Sequence, residues 1–414
     1  MAIGVAVSLP WSTSATSILI VLWLVAVLPT LTPQLVRREV ASLAGGLPVL
    51  LWLFAALGML WADVPWHDRL SGLGGYNRLL TIPLLLAQFR RSDHGALVLY
   101  GYLASAVCLM MTSWTIALIP ALSKYGNFYG VPVKDYIFQT DQFLICGFVL
   151  LGIITRTNAQ QARHMGWISV TLGILFLANL AFVFSSRSGL LVVPFLIAAL
   201  GWRLSGAKGV IVACMVAVVV GPILWVTSPR LRDFTLQSVA DMRAYLATNA
   251  VTSAGLHFEF LRRSVDIIEK APLVGHGTGS IGDRFRSTAS GESGSTSIGS
   301  VNPHNQIFAV AIQIGLLGAV VLVAMWVAHL MLFRGDGPAA WIGTVLVIEN
   351  IVSSAVHSHL FDFGQGWLYV FGVGVAGGMV LKHNALATTA VDAGSENMAG
   401  LSLAARESHE KKRY

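Results

Sequence analysis

Apolar stretches long enough to cross a bilayer recur along almost the whole of this chain, and they leave little freedom in the fold. They fall at 15–31, 40–62, 77–89, 95–119, 141–155, 165–185, 188–203, 208–227, 305–333, 338–357 and 364–381. About eleven spans result, and residues 1–14 or a split of a longer run leave room for a twelfth. In lipid every backbone amide and carbonyl must find its partner within the protein, so runs of this length are helices. Of 414 residues, 55% are hydrophobic and 11% charged, against about 25% charged in soluble domains. The fold class expected is an all-α integral membrane protein with about 11–12 transmembrane helices and one large extracytoplasmic helical loop. Its parts are N-terminal helices (1–227), the loop (228–303), C-terminal helices (304–382) and a polar, disordered tail (383–414).

Basic residues occupy every second connection: Arg37 and Arg38, Arg90 and Arg91, Arg156 and Arg163, Arg203 and Lys208, Arg334, and Lys382. The positive-inside rule makes these cytoplasmic. They also account for a pI near 9.5 without calling for nucleic acid. The connections 63–76, 120–140, 185–189, 228–303 and 357–363 are then extracytoplasmic. The start of the chain lacks a basic leader and a cleavage signal, and reads as a retained first helix. The three cysteines, Cys108, Cys146 and Cys214, lie in apolar runs with no metal-ligand spacing.

The 228–303 segment far exceeds the roughly 12–15 residues beyond which an unstructured connection is uncommon. Its first part suits an amphipathic surface helix near 231–247. A second helix carries Phe258, Leu261, Val265 and Ile268 at helical spacing and stops at Pro272. "GHGTGS" (275–280) follows as a glycine-rich turn, and "RSTASGESGSTSIGS" reads as a mobile loop.

Arg187 sits in the tight turn "SSRSG" on the extracytoplasmic face, where lone arginines are not favoured. It is either a headgroup contact or an anion holder whose planar fork suits phosphate. Arg262 and Arg263 lie on the second loop helix beside Glu259. Neighbouring helical residues point about 100° apart, so at most one of the two arginines faces a buried site. "GHGTGS" offers a nest of amides to a phosphate, or is an ordinary turn. His276, His357 and His359 show no spacing that marks a metal site. In "VNPHNQIFAVAIQIGLLG" (301–318), Asn302 reads as an N-cap, Pro303 as the first helical residue, and His304 as part of the first turn. The helix dipole there keeps an imidazole neutral and able to accept a proton; the bland alternative is an interfacial histidine.

Three pieces together resemble the O-antigen ligase family: "FSSRSGLLVVP" (184–194), "RRSVDIIEKAPLVGHGTGS" (262–280) and "PHNQIFAVAIQIGLLG" (303–318). The last, with its His-Asn pair and Gln313, Gly315 and Gly318, is the most specific. The resemblance implies a GT-C-like membrane glycosyltransferase of about twelve helices, inverting and metal-independent, with no cofactor. It implies transfer of O-antigen polysaccharide from undecaprenyl diphosphate to the lipid A–core, at the periplasmic face of the bacterial inner membrane. It assigns catalysis to Arg187 and His304. The donor diphosphate falls to Arg187 with Arg262, Arg263 or His257, the last standing where relatives often have arginine. Asn305, Gln139, Asp135 and His276 are candidates for lining the site. An O-antigen polymerase and a protein O-oligosaccharyltransferase are rival readings within the superfamily. A lipid or solute transporter is the rival from another class; it would favour charges deep within helices, for which Arg78 is the main candidate.

Overall fold

The computed structural model describes residues 1–123, 130–133, 135–153, 162–184, 186–291 and 293–410, with side chains to residue 387 and backbone alone for 162–165. Arg156, the side chain of Arg163, Ser185 and the last four residues lie outside the described residues. Among the described residues there is no strand, and the chain is an all-α membrane protein. The helices are α1 (Ala2–Ser8), α2 (Thr13–Val27), α3 (Pro33–Val40), α4 (Leu43–Gly58), α5 (Trp66–Asn77), α6 (Thr81–Phe89), α7 (Gly95–Leu118) and α8 (Tyr136–Ile153). They continue as α9 (Ala162–Phe182), α10 (Arg187–Thr227), α11 (Pro229–Thr248), α12 (Ser253–Lys270), α13 (Ile281–Ser287), α14 (Gln306–Leu332), α15 (Pro338–Ser353) and α16 (Phe363–Glu410).

Six of these helices are long and apolar enough to cross a membrane, and the bent pair α3 and α4 adds a seventh candidate. This is fewer than the runs in the sequence, for identifiable reasons. The run 77–89 is divided between a 3₁₀ turn and α6, whose 9 residues are too short to cross alone. α1, where a further span had room, is a 7-residue helix packed against α2 and α7. α10 compensates, because it is two helices folded against each other. At Ser205 and Gly206 the backbone leaves helical geometry. A Cβ on Gly209 would lie 1.9 Å from the Gly201 carbonyl oxygen, and one on Gly201 would lie 3.0 Å from the Ala213 side chain. In a straight helix residues 201 and 213 would be about 18 Å apart. The two apolar runs 188–203 and 208–227 are therefore a hairpin, with Arg187 and Thr227 at the same end. Beyond Lys382, where disorder is expected, α16 runs on to Glu410; that stretch is rich in alanine and lacks proline, which favours helix.

α14 also breaks, and the break organises the centre of the molecule. Ile314 and Gly315 leave helical geometry, Gly315 with φ 71°. The loop after α12 fills the gap with its own backbone. His276 N–H donates to Ile312 O at 2.8 Å, Gly277 N–H to Gln313 O at 2.8 Å, and Leu316 N–H to Pro272 O at 2.7 Å. Thr278 reaches across to α4, donating from N to Gly58 O and from Oγ1 to Ala55 O. The side-chain oxygen of Gln313 takes the Gly279 N–H at 2.9 Å. The Ile312 and Gln313 carbonyls and the Leu316 amide opened by the break thus have protein partners, which a membrane interior demands. Gly315 has no substitute here: a Cβ would sit 2.0 Å from Leu273 O in a backbone conformation other residues avoid. Gly315→Ala is expected to cost about 2–5 kcal/mol, from the left-handed φ and overpacking together. A fall in the unfolding midpoint in detergent is the measurement, and an unchanged midpoint would contradict the packing described.

Candidate functional site

The first residues of α10 and α14, the helices α11 and α12, and the turn between α15 and α16 meet at one end of the bundle. α14 starts later than its sequence suggests. Asn305, not Asn302, is its N-cap and accepts from Phe308 N–H at 3.0 Å. Asn302 instead turns its Oδ1 to the His304 N–H at 2.8 Å and to the Ser358 hydroxyl at 2.8 Å. His304 is therefore held just ahead of the helix, with φ 54°. A left-handed conformation at a residue other than glycine costs roughly 1–2 kcal/mol, and such strain tends to gather at functional sites.

The segment around His304 is stitched to the α15–α16 turn. Asn305 Nδ2 donates to Ala355 O at 3.0 Å, Gln306 N–H donates to Ser354 O, and Gln306 Oε1 accepts from Leu360 N–H at 2.9 Å. Arg78 secures the far end of the turn by donating to the carbonyls of Phe361, Asp362 and Phe363. These bonds carry His357 up to His304. The His304 ring stacks on His257 of α12, centroids 4.3 Å apart and planes 20° from parallel, with Phe260 at 5.9 Å. His357 lies edge-on, 5.7 Å from both His304 and His257. Burial holds His304 below the usual imidazole range. Burial, then the neighbouring histidines and Arg187, pushes His257 down to about 3. Burial and His304 bring His357 to about 4. The three rings are neutral at physiological pH, and His304 Nδ1 is buried without a hydrogen-bond partner.

Arg187 is the first residue of α10, just after the cap Ser186. Its guanidinium donates to Asp241 Oδ2 of α11 at 3.0 Å and to Ser253 Oγ of α12 at 3.1 Å, and lies 5.7 Å from the Phe234 ring. The side chain stays about one-third exposed. Nearby, Arg230 in the first turn of α11 stacks on Phe184 at 4.5 Å, and Phe184 meets Tyr136 at 5.0 Å.

The other candidates serve elsewhere. Arg263 is buried between Phe260 and Phe285 and donates to Thr296 O at 3.2 Å and Ile298 O at 2.5 Å. That ties down the later part of the 286–300 loop, expected to be mobile; its Ser295 hydroxyl is also bonded to Ala250 O. Arg262, half exposed, pairs with Glu259 at 2.9 Å and approaches Asp266 at 3.9 Å. The packed face of α12 is Phe260, Arg263 and Ile267, whereas Phe258 and Val265 of the expected apolar stripe are exposed. A charged residue buried on its partners has displaced the simple hydrophobic face. His276 Nε2 contacts Ile267 O at 2.9 Å. In "GHGTGS" the amides of His276, Gly277, Thr278 and Gly279 are taken by α14 and α4, while those of Gly275 and Ser280 bond to Ala271 O and Gly277 O, so they form no phosphate nest. Gln139 donates to Ser113 Oγ and Gly130 O. Asp135 accepts the Phe138 N–H at 2.9 Å at the start of α8. Asn305 is a helix cap with a tether to the turn. Sequence reasoning missed His357 and Asp241, although "HSHLFDF" already lay on the same face as His304. Glu259 keeps Arg262, but removing Arg263 leaves the Thr296 and Ile298 carbonyls without that donor, so Arg263→Ala should destabilise the loop segment by about 1–3 kcal/mol. Faster hydrogen exchange across 293–300 would report it.

A helical membrane bundle, closed over a broken core helix and bearing an arginine and three neutral histidines at one end, defines a multi-pass membrane protein with a polar site between helix ends and a large helical loop. Residues 172–323, which contain Arg187, all of α11 and α12, and His304, match the family model described as O-antigen ligase. Members of this family are membrane glycosyl-transfer enzymes. No curated protein matches the chain.

Proposed function

We propose that this protein is an O-antigen ligase of the bacterial inner membrane, acting at its periplasmic face. It transfers O-antigen polysaccharide from undecaprenyl diphosphate to the lipid A–core. The observation that carries the reading is that Arg187 and His304 both neighbour His257, with His304 strained, neutral and stacked on it. Arg187 holds the donor diphosphate and neutralises charge as it leaves. The loop cation expected beside it is better met by Arg230 than by Arg262 or Arg263: it makes no ion pair among the described residues and shares the Tyr136–Phe184 aromatic pair. The acceptor hydroxyl oxygen attacks the anomeric carbon from the face opposite the diphosphate. The bond from that carbon to the diphosphate oxygen breaks, its electron pair leaves with the diphosphate, and the hydroxyl proton passes to His304. His257 keeps the His304 ring in place by stacking.

A transporter is less well supported. The broken helix characteristic of transporters lines a cavity, whereas the break in α14 is filled by residues 272–280.

The deciding test supplies purified protein with an undecaprenyl-diphosphate-linked glycan and rough lipopolysaccharide. Glycan joined to the lipid A–core is the expected product. Elongation of glycan on its own carrier, without use of the acceptor, would make the protein a polymerase instead. A pH profile adds a second check. Since His304 must be neutral to take a proton and burial holds its pKa below the ordinary 6.5, the rate should be full at pH 8 and fall as the ring protonates, with a midpoint below pH 6.5. A midpoint above pH 7 would exclude His304 as the proton acceptor.

A further inference from the structure

We propose that Asp141, Glu349 and His359 form a binding site for one divalent transition-metal ion, seated in the bundle beneath His357. Asp141 comes from the second turn of α8, Glu349 from the last turns of α15, and His359 from the α15–α16 turn. One ligand atom from each lies within 4.8 Å of the others. A point between three such atoms is no more than about 2.8 Å from each, so small side-chain shifts reach the 2.0–2.2 Å of nitrogen and oxygen ligands. All three side chains are buried.

Their hydrogen bonding singles them out further. Asp141 Oδ1, Glu349 Oε1 and both ring nitrogens of His359 are buried with no partner. His359 Nδ1 faces Asp141 Oδ2 at 3.6 Å, too far for a hydrogen bond. Among the described residues no lysine or arginine pairs with either carboxylate. Two carboxylates in so dry a place are costly unless neutralised. A shared proton would draw two oxygens into a short hydrogen bond; a divalent ion satisfies both carboxylates and the imidazole at once. Two carboxylate oxygens and one imidazole suit zinc or manganese. Gln365 donates to Asp141 Oδ2 at 3.3 Å and would orient that ligand from outside the ion's own shell. Asp141 lies about 8 Å along α8 from the helix start, so the ion sits shallowly, next to the site. The His359 ring is 5.0 Å from His357, so the ion would fix the turn that presents His357 to His304. Its role is positional, and binding does not depend on the glycosyl-transfer reading.

The experiment loads the purified full-length protein with Mn²⁺ or Zn²⁺, removes excess ion and measures metal by mass spectrometry. About one ion per chain is expected, falling at least about tenfold in the Asp141→Asn, Glu349→Gln double variant. The bound Mn²⁺ should show spin-echo modulation from one imidazole nitrogen, a readout that needs no variant. Less than about a tenth of an ion per chain in the wild type, or bound Mn²⁺ without nitrogen coupling, overturns the assignment.

Discussion

Replacing His304 by alanine is expected to cut glycan transfer by about 10²–10⁴-fold, the usual contribution of a positioned general base. The backbone geometry supplies a control that separates chemistry from folding. His304 is held at φ 54° by Asn302 and by the cap at Asn305. Glycine adopts that conformation freely and alanine does not. His304→Gly should therefore lose activity as fully as His304→Ala while unfolding at a higher temperature. Activity assays paired with thermal unfolding in detergent test both halves. Wild-type transfer by either variant would remove His304 from the reaction. A glycine variant less stable than the alanine one would mean that the left-handed turn is not strained.

Arg187→Lys is expected to lower the rate by about 10²–10³-fold, the cost of losing one donor to developing negative charge. Lysine keeps the positive charge, so the loss isolates the geometry of the guanidinium. That fork now spans Asp241 and Ser253, which lie on two different loop helices. A single ammonium cannot bridge both and still meet a diphosphate. Asp241→Asn separates the two roles. If Asp241 only aims the guanidinium, the amide should keep much of the alignment and most of the activity. Full activity in Arg187→Lys, measured at saturating donor, would exclude a bidentate contact to phosphate.

The order of helices, the length of the loop and the two ends that carry Arg187 and His304 were legible from hydropathy, charge alternation and motif order. These follow from constraints acting residue by residue: the bilayer rejects unpaired backbone, and a span needs a set apolar length. The role of "GHGTGS" was not legible. Its amides looked free for phosphate, yet they close the break in α14, for which Gln313 and Gly315 are the matching half. Those partners lie more than thirty residues along the chain, and only folding reveals that they complete one another. The loop arginines were misleading for a related reason. Arg263 has the composition of a ligand-binding cation, but its guanidinium is spent on Thr296 and Ile298 in a stretch that looked mobile.

The sequence by itself determined that this is a helical membrane protein, because apolar length is a property of single segments. Only the tertiary structure decided which polar residues meet there. His257, His304 and His357 come from three separate elements, as do Asp141, Glu349 and His359. No local spacing could join them, since each set forms only where α8, α12, α14, α15 and their turns pack together, and buried polar groups are held in place by partners distant in the chain.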